Sequence, residues 1–321
     1  MIRETTKIAQ FISKKKWITL ILWQLCSILL CSVNVINTIL SHENQHTLPF
    51  FQMTLTYFLL FIIFIWKFTK NEISWLKYLI VSIFNILGDT TSIMAYNTTS
   101  LSSAMLLGTT VIFWVAPLSY FFMKRYFSIL QIISLFIGFG GVVMIFFGDG
   151  IGESKWKGNL LASCSALSYA IANILQESLV YSATVTIYLS RLSIISTPIS
   201  FILSGSLEWK DIKNYNWDIK TCILIGLYSI LLCLYYITIP SIMQFSNATE
   251  MNISLLSSNF FSLLISILCF NQKPILLYLI GFFCVPISIA IFTLFPYKEK
   301  KINNESLTQT LNDNSFTNSN K

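Results

Sequence analysis

Residues 128–147 read SILQIISLFIGFGGVVMIFF, twenty positions without one charged side chain. At ~1.5 Å per helical residue, a stretch of this length crosses a hydrocarbon core of ~30 Å. Similar apolar stretches run along the rest of the chain, at 17–40, 48–67, 74–96, 101–123, 158–181, 185–207, 219–240, 248–270 and 275–295. The sequence therefore predicts an all-α integral membrane protein with ten transmembrane helices.

The ten stretches fall into two sets of five, residues 17–147 and 158–295. Because five is odd, the second set enters the membrane from the side opposite to the first. In each set the last two stretches are joined by a short turn, and the last one contains Ile-Gly-Phe, at 137–139 and 280–282. This layout is typical of two inverted five-helix repeats in a transporter.

Basic residues are distributed unequally between the two sides of this arrangement. Fourteen of them fall in the termini and loops of one side, and six fall on the other side among acidic residues. The positive-inside rule then places both termini in the cytosol and leaves the choice between plasma membrane and endomembrane open. The net charge of +7 follows topology, so we expect no nucleic-acid partner. Residues 1–16 are predicted to be a basic cytosolic N-terminus, and residues 297–321 a disordered cytosolic tail.

The composition argues against catalysis and against a bound cofactor. The hydrophobic fraction is 55% and the charged fraction is 11%, whereas soluble domains carry about a quarter charged residues. All seven cysteines lie in apolar stretches, the two histidines share one loop, and no phosphate-binding glycine motif is present. We therefore expect no enzyme activity, no metal site and no cofactor.

Polar residues recur at helical spacing within several of these stretches, and a polar side chain in lipid needs a partner or a water-filled cavity. Interhelical hydrogen bonding, worth ~0.6 kcal/mol per contact, is the alternative to a binding role. The predicted substrate-binding residues are Asn34, Asn85, Asp89, Tyr169, Asn173, Tyr235 and Asn259.

Asp89 stands out because it is the one acid predicted deep in the membrane. Insertion of a charge at the centre of a helix costs about 2.5–3.5 kcal/mol, so a buried acid is by default a functional hypothesis. It could carry a proton between the two sides. The sequence is compatible with transport coupled to protons and with a homodimer, and it decides neither point.

Three charged residues near the predicted cytosolic ends form a second group. Arg191 lies about two turns into its stretch, Glu177 ends the sixth stretch and Glu250 begins the ninth. A pair of Arg191 with either acid would form a cytosolic gate or grip an anionic substrate. The alternative is that Arg191 snorkels to the interface.

Three local runs resemble a known family. They are AYNTTSLSSA at 95–104, GNLLA at 158–162 followed by SYAIANILQE at 168–177, and SNATEMNISLLSSN at 246–259. Through them, residues 80–295 resemble the F branch of solute carrier family 35, in the drug/metabolite transporter superfamily that includes nucleotide-sugar carriers. The resemblance implies ten helices and carrier-type transport without fixing a substrate. Members of the family often have an acidic residue where this chain has Asn159, and also near Asn85 and Asn259. Asp89 is a candidate to replace one of these acids in this chain.

The sequence thus predicts a secondary transporter that moves a small polar organic molecule by alternating access across the lipid bilayer. Tyrosines can stack on a ring while amides read its edge, so a ring-bearing metabolite is favoured. A multiply anionic nucleotide sugar would need more buried cations than Arg191 alone. The alternatives are a nucleotide-sugar exchanger of the endomembrane system and a non-transporting receptor or scaffold.

Overall fold

A computed structural model describes residues 16–44, 48–67, 73–98, 104, 107–149, 156–258, 261 and 276–295. The predicted tail at 297–321 and residues 1–15 of the predicted N-terminus lie outside the described residues. Within the described ranges all regular structure is helical. The helices are α1 (Lys16–Asn44), α2 (Pro49–Phe64), α3 (Trp75–Thr98), α4 (Val111–Met123), α5 (Ile129–Asp149), α6 (Trp156–Ser182), α7 (Val185–Leu207), α8 (Trp209–Asn214), α9 (Ile219–Met243), α10 (Ala248–Leu255) and α11 (Leu276–Leu294).

Six helices in the described part of the chain are long and apolar enough to cross a membrane, namely α1, α2, α3, α6, α7 and α9. Shorter apolar helices run over Leu107–Met123, Ile129–Gly141 and Phe283–Phe292. Large apolar side chains such as Phe58, Phe201 and Phe283 are exposed on the outer face, as expected where lipid takes the place of water. The protein is therefore an integral membrane protein.

Helices occur in each of the ten predicted apolar stretches. In the stretch 101–123, residues 107–109 are helical, and α4 follows from Val111 after a turn at Thr110. In the stretch 248–270, α10 covers Ala248–Leu255, and the described residues beyond it are 256–258 and 261. A short helix over Trp209–Asn214 was not predicted, because its six residues are polar and too few to show a period.

The helix contacts can be compared by matching α1–α5 in chain order with α6, α7, α9, α10 and α11. Helix α3 packs on α6, and α1 packs on α9 in the corresponding way. The contact of α4 with α6 likewise has a counterpart in that of α10 with α1. The contact of α2 with α9 has a counterpart in that of α7 with α3. Two corresponding pairs, α2 with α7 and α5 with α11, pack directly on each other.

Helices α5 and α11 form the closest of these pairs because glycines face small residues. A Cβ added to Gly138 would lie 2.5 Å from Ser288 Oγ, and one added to Gly141 would lie 2.7 Å from Cys284 Cβ. Ser288 Oγ also donates to the carbonyl of Ser134 at 2.6 Å. This close approach of the backbones is the usual basis of helix association in lipid.

Candidate functional site

One cavity lies between helices from both halves of the chain, namely α1, α3, α4, α6, α9 and α10. Its wall extends from Asn252, near the start of α10, to Tyr96 and Ala162 at the opposite helix ends. Six of the predicted substrate-binding residues line this one space, and Asn259 lies outside the described residues. The six are Asn34, Asn85, Asp89, Tyr169, Asn173 and Tyr235.

Asp89 accepts hydrogen bonds from three tyrosine hydroxyls, each supplied by a different helix. Tyr57 of α2 donates to Oδ2 at 2.9 Å, and Tyr236 of α9 donates to the same oxygen. Tyr169 of α6 donates to Oδ1 at 2.8 Å. Asp89 is 5% exposed, so these donors take the place of water around the carboxylate.

Gly88 positions Tyr169 within this cluster. A Cβ added to Gly88 would lie 2.9 Å from both Cδ1 and Cε1 of the Tyr169 ring. The missing side chain therefore lets the ring lie flat against α3, and from there its hydroxyl reaches Asp89. Tyr169 is partly exposed in the cavity wall, so it joins the carboxylate to the open space.

The charge of the cavity is one-sided. Among the described residues that line it there is no lysine, arginine or histidine, and Asp89 is the one carboxylate. The amide oxygen of Asn37 is buried in the same wall and has no hydrogen-bond partner among the residues that the structure describes. A buried acceptor of this kind is satisfied when a ligand brings an N–H or O–H donor.

Two asparagines meet at one end of the cavity, which we call the cavity floor. Asn173 Nδ2 of α6 donates to Asn252 Oδ1 of α10 at 3.3 Å. Asn252 Nδ2 in turn donates to the carbonyl of Ala248 at 2.7 Å, in the first turn of α10. The cavity floor thus joins α6 to α10.

Beyond the floor lies a buried ion pair. Glu177, fully buried at the end of α6, is 2.7 Å from Arg125 Nη2 through its Oε1 and accepts from the backbone N–H of Ala248 at 2.8 Å through Oε2. Arg125 follows the end of α4, where Lys124 adopts a left-handed conformation with φ of 50°. The guanidinium of Arg125 and the N-terminus of α10 thus both lie against the Glu177 carboxylate.

The start of α10 is fixed by further contacts around the same point. Asn247 caps the helix by accepting from the N–H of Glu250 at 2.8 Å. Ser246 Oγ donates to Glu250 Oε2 at 2.6 Å, and Trp23 Nε1 donates to Ser246 Oγ at 3.0 Å. Tyr181 donates to the carbonyl of Ser246. Glu250 is therefore part of the capping of α10.

A pair of Arg191 with Glu177 or Glu250 is one of the two expectations from the sequence. In the structure, Arg125 forms the ion pair with Glu177, and Glu250 accepts from Ser246 Oγ. Arg191 lies instead over the rings of Trp75 and Tyr78, at 4.7 and 5.2 Å from their centroids. Its Nη1 donates to the carbonyl of Ile73 at 3.0 Å. At 2% exposed, Arg191 is packed within the protein and does not snorkel outward.

The sequence of this chain was compared with models of known protein families. The family model of solute carrier family 35, in its F-branch form, matches residues 12–294. The chain belongs to solute carrier family 35.

Relatives in this family are distant but cover most of the chain. Solute carrier family 35 member F2 of Mus musculus is 23% identical over 87% of this chain and 79% of its own length. The Xenopus tropicalis member F2 is 24% identical over 87% and 77% of the two chains. An uncharacterized solute carrier family 35 member of Schizosaccharomyces pombe is 26% identical over 88% of this chain, which spans 59% of that protein.

A solved crystal structure of another protein superposes with a TM-score of 0.66 over 85% of this chain and 96% of the other, at 14% identity. That likeness shows the fold alone. Membership of solute carrier family 35 indicates a membrane transporter and not an enzyme.

Three residues that contact the buried carboxylates of this solute carrier were not predicted from the sequence. Tyr57 and Tyr236 lie in stretches rich in aromatic residues, where a tyrosine gives no distinct period. Arg125 was counted only as a cytosolic loop charge. A basic residue in a four-residue turn does not by itself predict a buried ion pair, because no local pattern indicates that its side chain points into the protein.

Proposed function

We propose that this solute carrier is a secondary transporter that moves a small, polar, ring-bearing organic metabolite by alternating access. The observation that carries the proposal is a polar cavity with walls from both halves of the chain. Six of the polar residues predicted from the sequence, which belong to four helices, line it. A receptor or scaffold has no need for a polar space of this kind in the membrane.

The ten-helix, inverted-repeat architecture is part of this proposal. The exchange of packed pairs supports it, because α3 on α6 has its counterpart in α1 on α9. A pseudo-two-fold axis in the membrane plane would produce this exchange. With both termini cytosolic, the cavity reaches the non-cytosolic ends of α3 and α6, and the ion pair of Glu177 lies on the cytosolic side.

The chemistry of the cavity wall supports the choice of substrate. Tyr169 and Tyr235 offer ring faces, and Asn34, Asn85 and Asn173 offer amide donors and acceptors. The described wall contains a carboxylate and no basic side chain, so a neutral or cationic ring compound fits better than a multiply charged anion. A nucleotide-sugar exchanger is the second candidate because the family resemblance includes such carriers.

Asp89 is the proposed site of proton coupling. Its carboxylate is held by neutral hydroxyls only, so loading a proton removes an uncompensated charge from the membrane interior. Glu177 and Glu250 belong to a proposed cytosolic gate, with Arg125 in the role predicted for Arg191. Opening that gate would connect the cavity to the cytosol.

The test uses purified full-length protein, first in a thermal-shift screen and then in vesicles that contain no other protein. A ligand at a hundred times its Kd stabilises by ~2.7 kcal/mol, so neutral heterocycles, organic cations and nucleotide sugars can be ranked. Uptake of the best ligand into the vesicles supports the carrier. Binding without uptake identifies a receptor, and uptake that requires a nucleotide inside the vesicles identifies the exchanger.

A further inference from the structure

A continuous chain of hydrogen bonds joins the cavity floor to the buried ion pair. It begins with Asn173 Nδ2 donating to Asn252 Oδ1 at 3.3 Å and continues from Asn252 Nδ2 to the carbonyl of Ala248 at 2.7 Å. The Ala248 N–H then donates to Glu177 Oε2 at 2.8 Å, and Glu177 Oε1 lies 2.7 Å from Arg125 Nη2. Four links connect the open cavity with the far side of α10.

The two ends of this chain differ in strength. At the cavity, the link between Asn173 and Asn252 is a long hydrogen bond between neutral amides, which is weak. At the other end, the Glu177 carboxylate forms an ion pair with the Arg125 guanidinium at 2.7 Å and accepts a charge-assisted hydrogen bond from a backbone N–H. A polar group entering the cavity therefore competes first for the amide end, and the charged end holds until α10 moves.

Both ends meet in the first turn of α10, so this turn can transmit a change. Its Ala248 supplies the carbonyl to the cavity side and the N–H to Glu177. Beside it, Ser119 Oγ of α4 lies 3.1 Å from Thr249 Oγ1, a neutral contact that can be exchanged for water. The same turn contacts α6 through Ala248 and α4 through Thr249, so a shift of the turn changes both contacts.

We propose that the first turn of α10 is a latch that couples occupancy of the cavity floor to the Arg125–Glu177 pair. The latch rests on the proposed function, since the cavity is taken to receive the transported molecule. When a ligand replaces Asn173 as the partner of Asn252, the turn shifts and the Ala248–Glu177 bond weakens. Arg125 is then a positioning residue that sets how firmly the closed state is held.

The experiment measures amide exchange in D₂O for residues 246–252 of the full-length protein in detergent, without any ligand. Arg125→Gln should raise exchange in this segment about tenfold, the factor that corresponds to ~1.4 kcal/mol. Asn173→Ala, which removes the amide from the floor, should raise exchange in the same segment by a smaller factor. Exchange near Thr221, at the start of α9, should stay unchanged in both variants.

Two variants serve as matched controls. Arg125→Lys keeps the positive charge and should restore slow exchange in large part. Ser165→Ala removes a polar group from the cavity wall on the same helix as Asn173, but its hydroxyl bonds only its own helix at Ala162, so exchange at 246–252 should not change.

The double variant decides whether the two ends are coupled. If the latch transmits, Arg125→Gln with Asn173→Ala should exchange no faster than Arg125→Gln alone, because the turn is already released. The coupling would be overturned if the increases in exchange rate of the two single variants multiplied in the double variant. It would also be overturned if Asn173→Ala left the exchange rate unchanged. Since no ligand enters this measurement, a failed uptake experiment would reject the proposed function and leave the latch result standing.

Discussion

Two buried carboxylates in this solute carrier are held in different ways. Glu177 is fully buried and is balanced by a guanidinium and a helix N-terminus. Asp89 is 5% exposed and is balanced by three tyrosine hydroxyls. In the first arrangement a cation lies directly against the carboxylate, so replacing Glu177 by a neutral residue would leave Arg125 without its partner. The second tolerates both charged and neutral forms, because hydroxyls can also accept hydrogen bonds.

The largest expected effect separates the two carboxylates by their response to a pH gradient. Asp89→Asn keeps the shape of the side chain but removes titration, so pH-gradient dependence of uptake into vesicles should be abolished. Glu177→Gln, the matched control, should keep the ratio of uptake with and without the gradient even if the rate changes. Unchanged proton-coupled uptake in Asp89→Asn would exclude the coupling role.

The next effect concerns stability at the ion pair. Arg125→Ala leaves Glu177 buried without its cation, which should lower the free energy of unfolding by up to about 3 kcal/mol, the lower end for a broken buried pair. The lower end applies because Arg125 is 28% exposed. Thermal unfolding in detergent measures the loss. Arg125→Ala combined with Glu177→Gln should recover part of it, and a double variant as unstable as the single one would show that charge is not the cause.

A third carboxylate, Glu208, lies outside the spanning helices and gives a smaller, pH-dependent effect. It accepts from the N–H groups of Phe50 and Phe51 at 2.9 and 2.7 Å, which caps α2 because Leu48 has no side-chain acceptor. Burial outweighs these two hydrogen bonds and raises the pKa of Glu208 from 4.5 to about 7.

The folded protein therefore holds this proton more tightly than the unfolded chain. The contribution of Glu208 to stability is fully present below the unfolded pKa and is lost as pH rises through about 7. Thermal stability should fall across that window, and Glu208→Gln should remove this part of the fall. Asp211→Asn should move the window to lower pH, since the charge of Asp211 also raises the pKa of Glu208. Identical pH profiles for all three proteins would contradict the assignment.

The smallest expected effect lies at the turn that aims Arg125 at Glu177. Lys124 has a φ of 50°, a conformation that costs a residue with a side chain about 1 kcal/mol and costs glycine little. Lys124→Gly should therefore leave stability unchanged or raise it by up to about 1 kcal/mol in thermal unfolding. Lys124→Val should lower stability, and the reverse order would show that the side chain of Lys124 matters more than its backbone.

Asp89 and Arg125 show what could be predicted from the sequence and what could not. Asp89 was found because its cost in a membrane is a property of the single residue and needs no knowledge of its neighbours. The same is true of Asn173, which shares a helical stripe with Tyr169. Arg125 depends on a chain reversal at Lys124, after which the guanidinium lies against Glu177 of α6, and no local sequence pattern predicts that contact.

The surroundings of Arg191 illustrate the same limit. The sequence places it at the same depth as Glu177, and opposite charges at one depth are natural partners. The aromatic residues Trp75 and Tyr78 on α3 take it up instead, through contacts between residues more than a hundred positions apart. Depth along a helix could be predicted, whereas rotation about the helix axis toward a particular neighbour could not.

The close seam between α5 and α11 has a consequence for how the protein is made. The glycine face of α5 at Gly138 and Gly141 fits Ser288 and Cys284, which are synthesised about 150 residues later. At ~5–20 residues per second, α5 waits in the membrane for many seconds before its partner emerges from the ribosome. Until then its narrow glycine groove is open to any passing helix. A chain that stops before α11 would carry that open groove permanently, and cellular quality control could recognise it there.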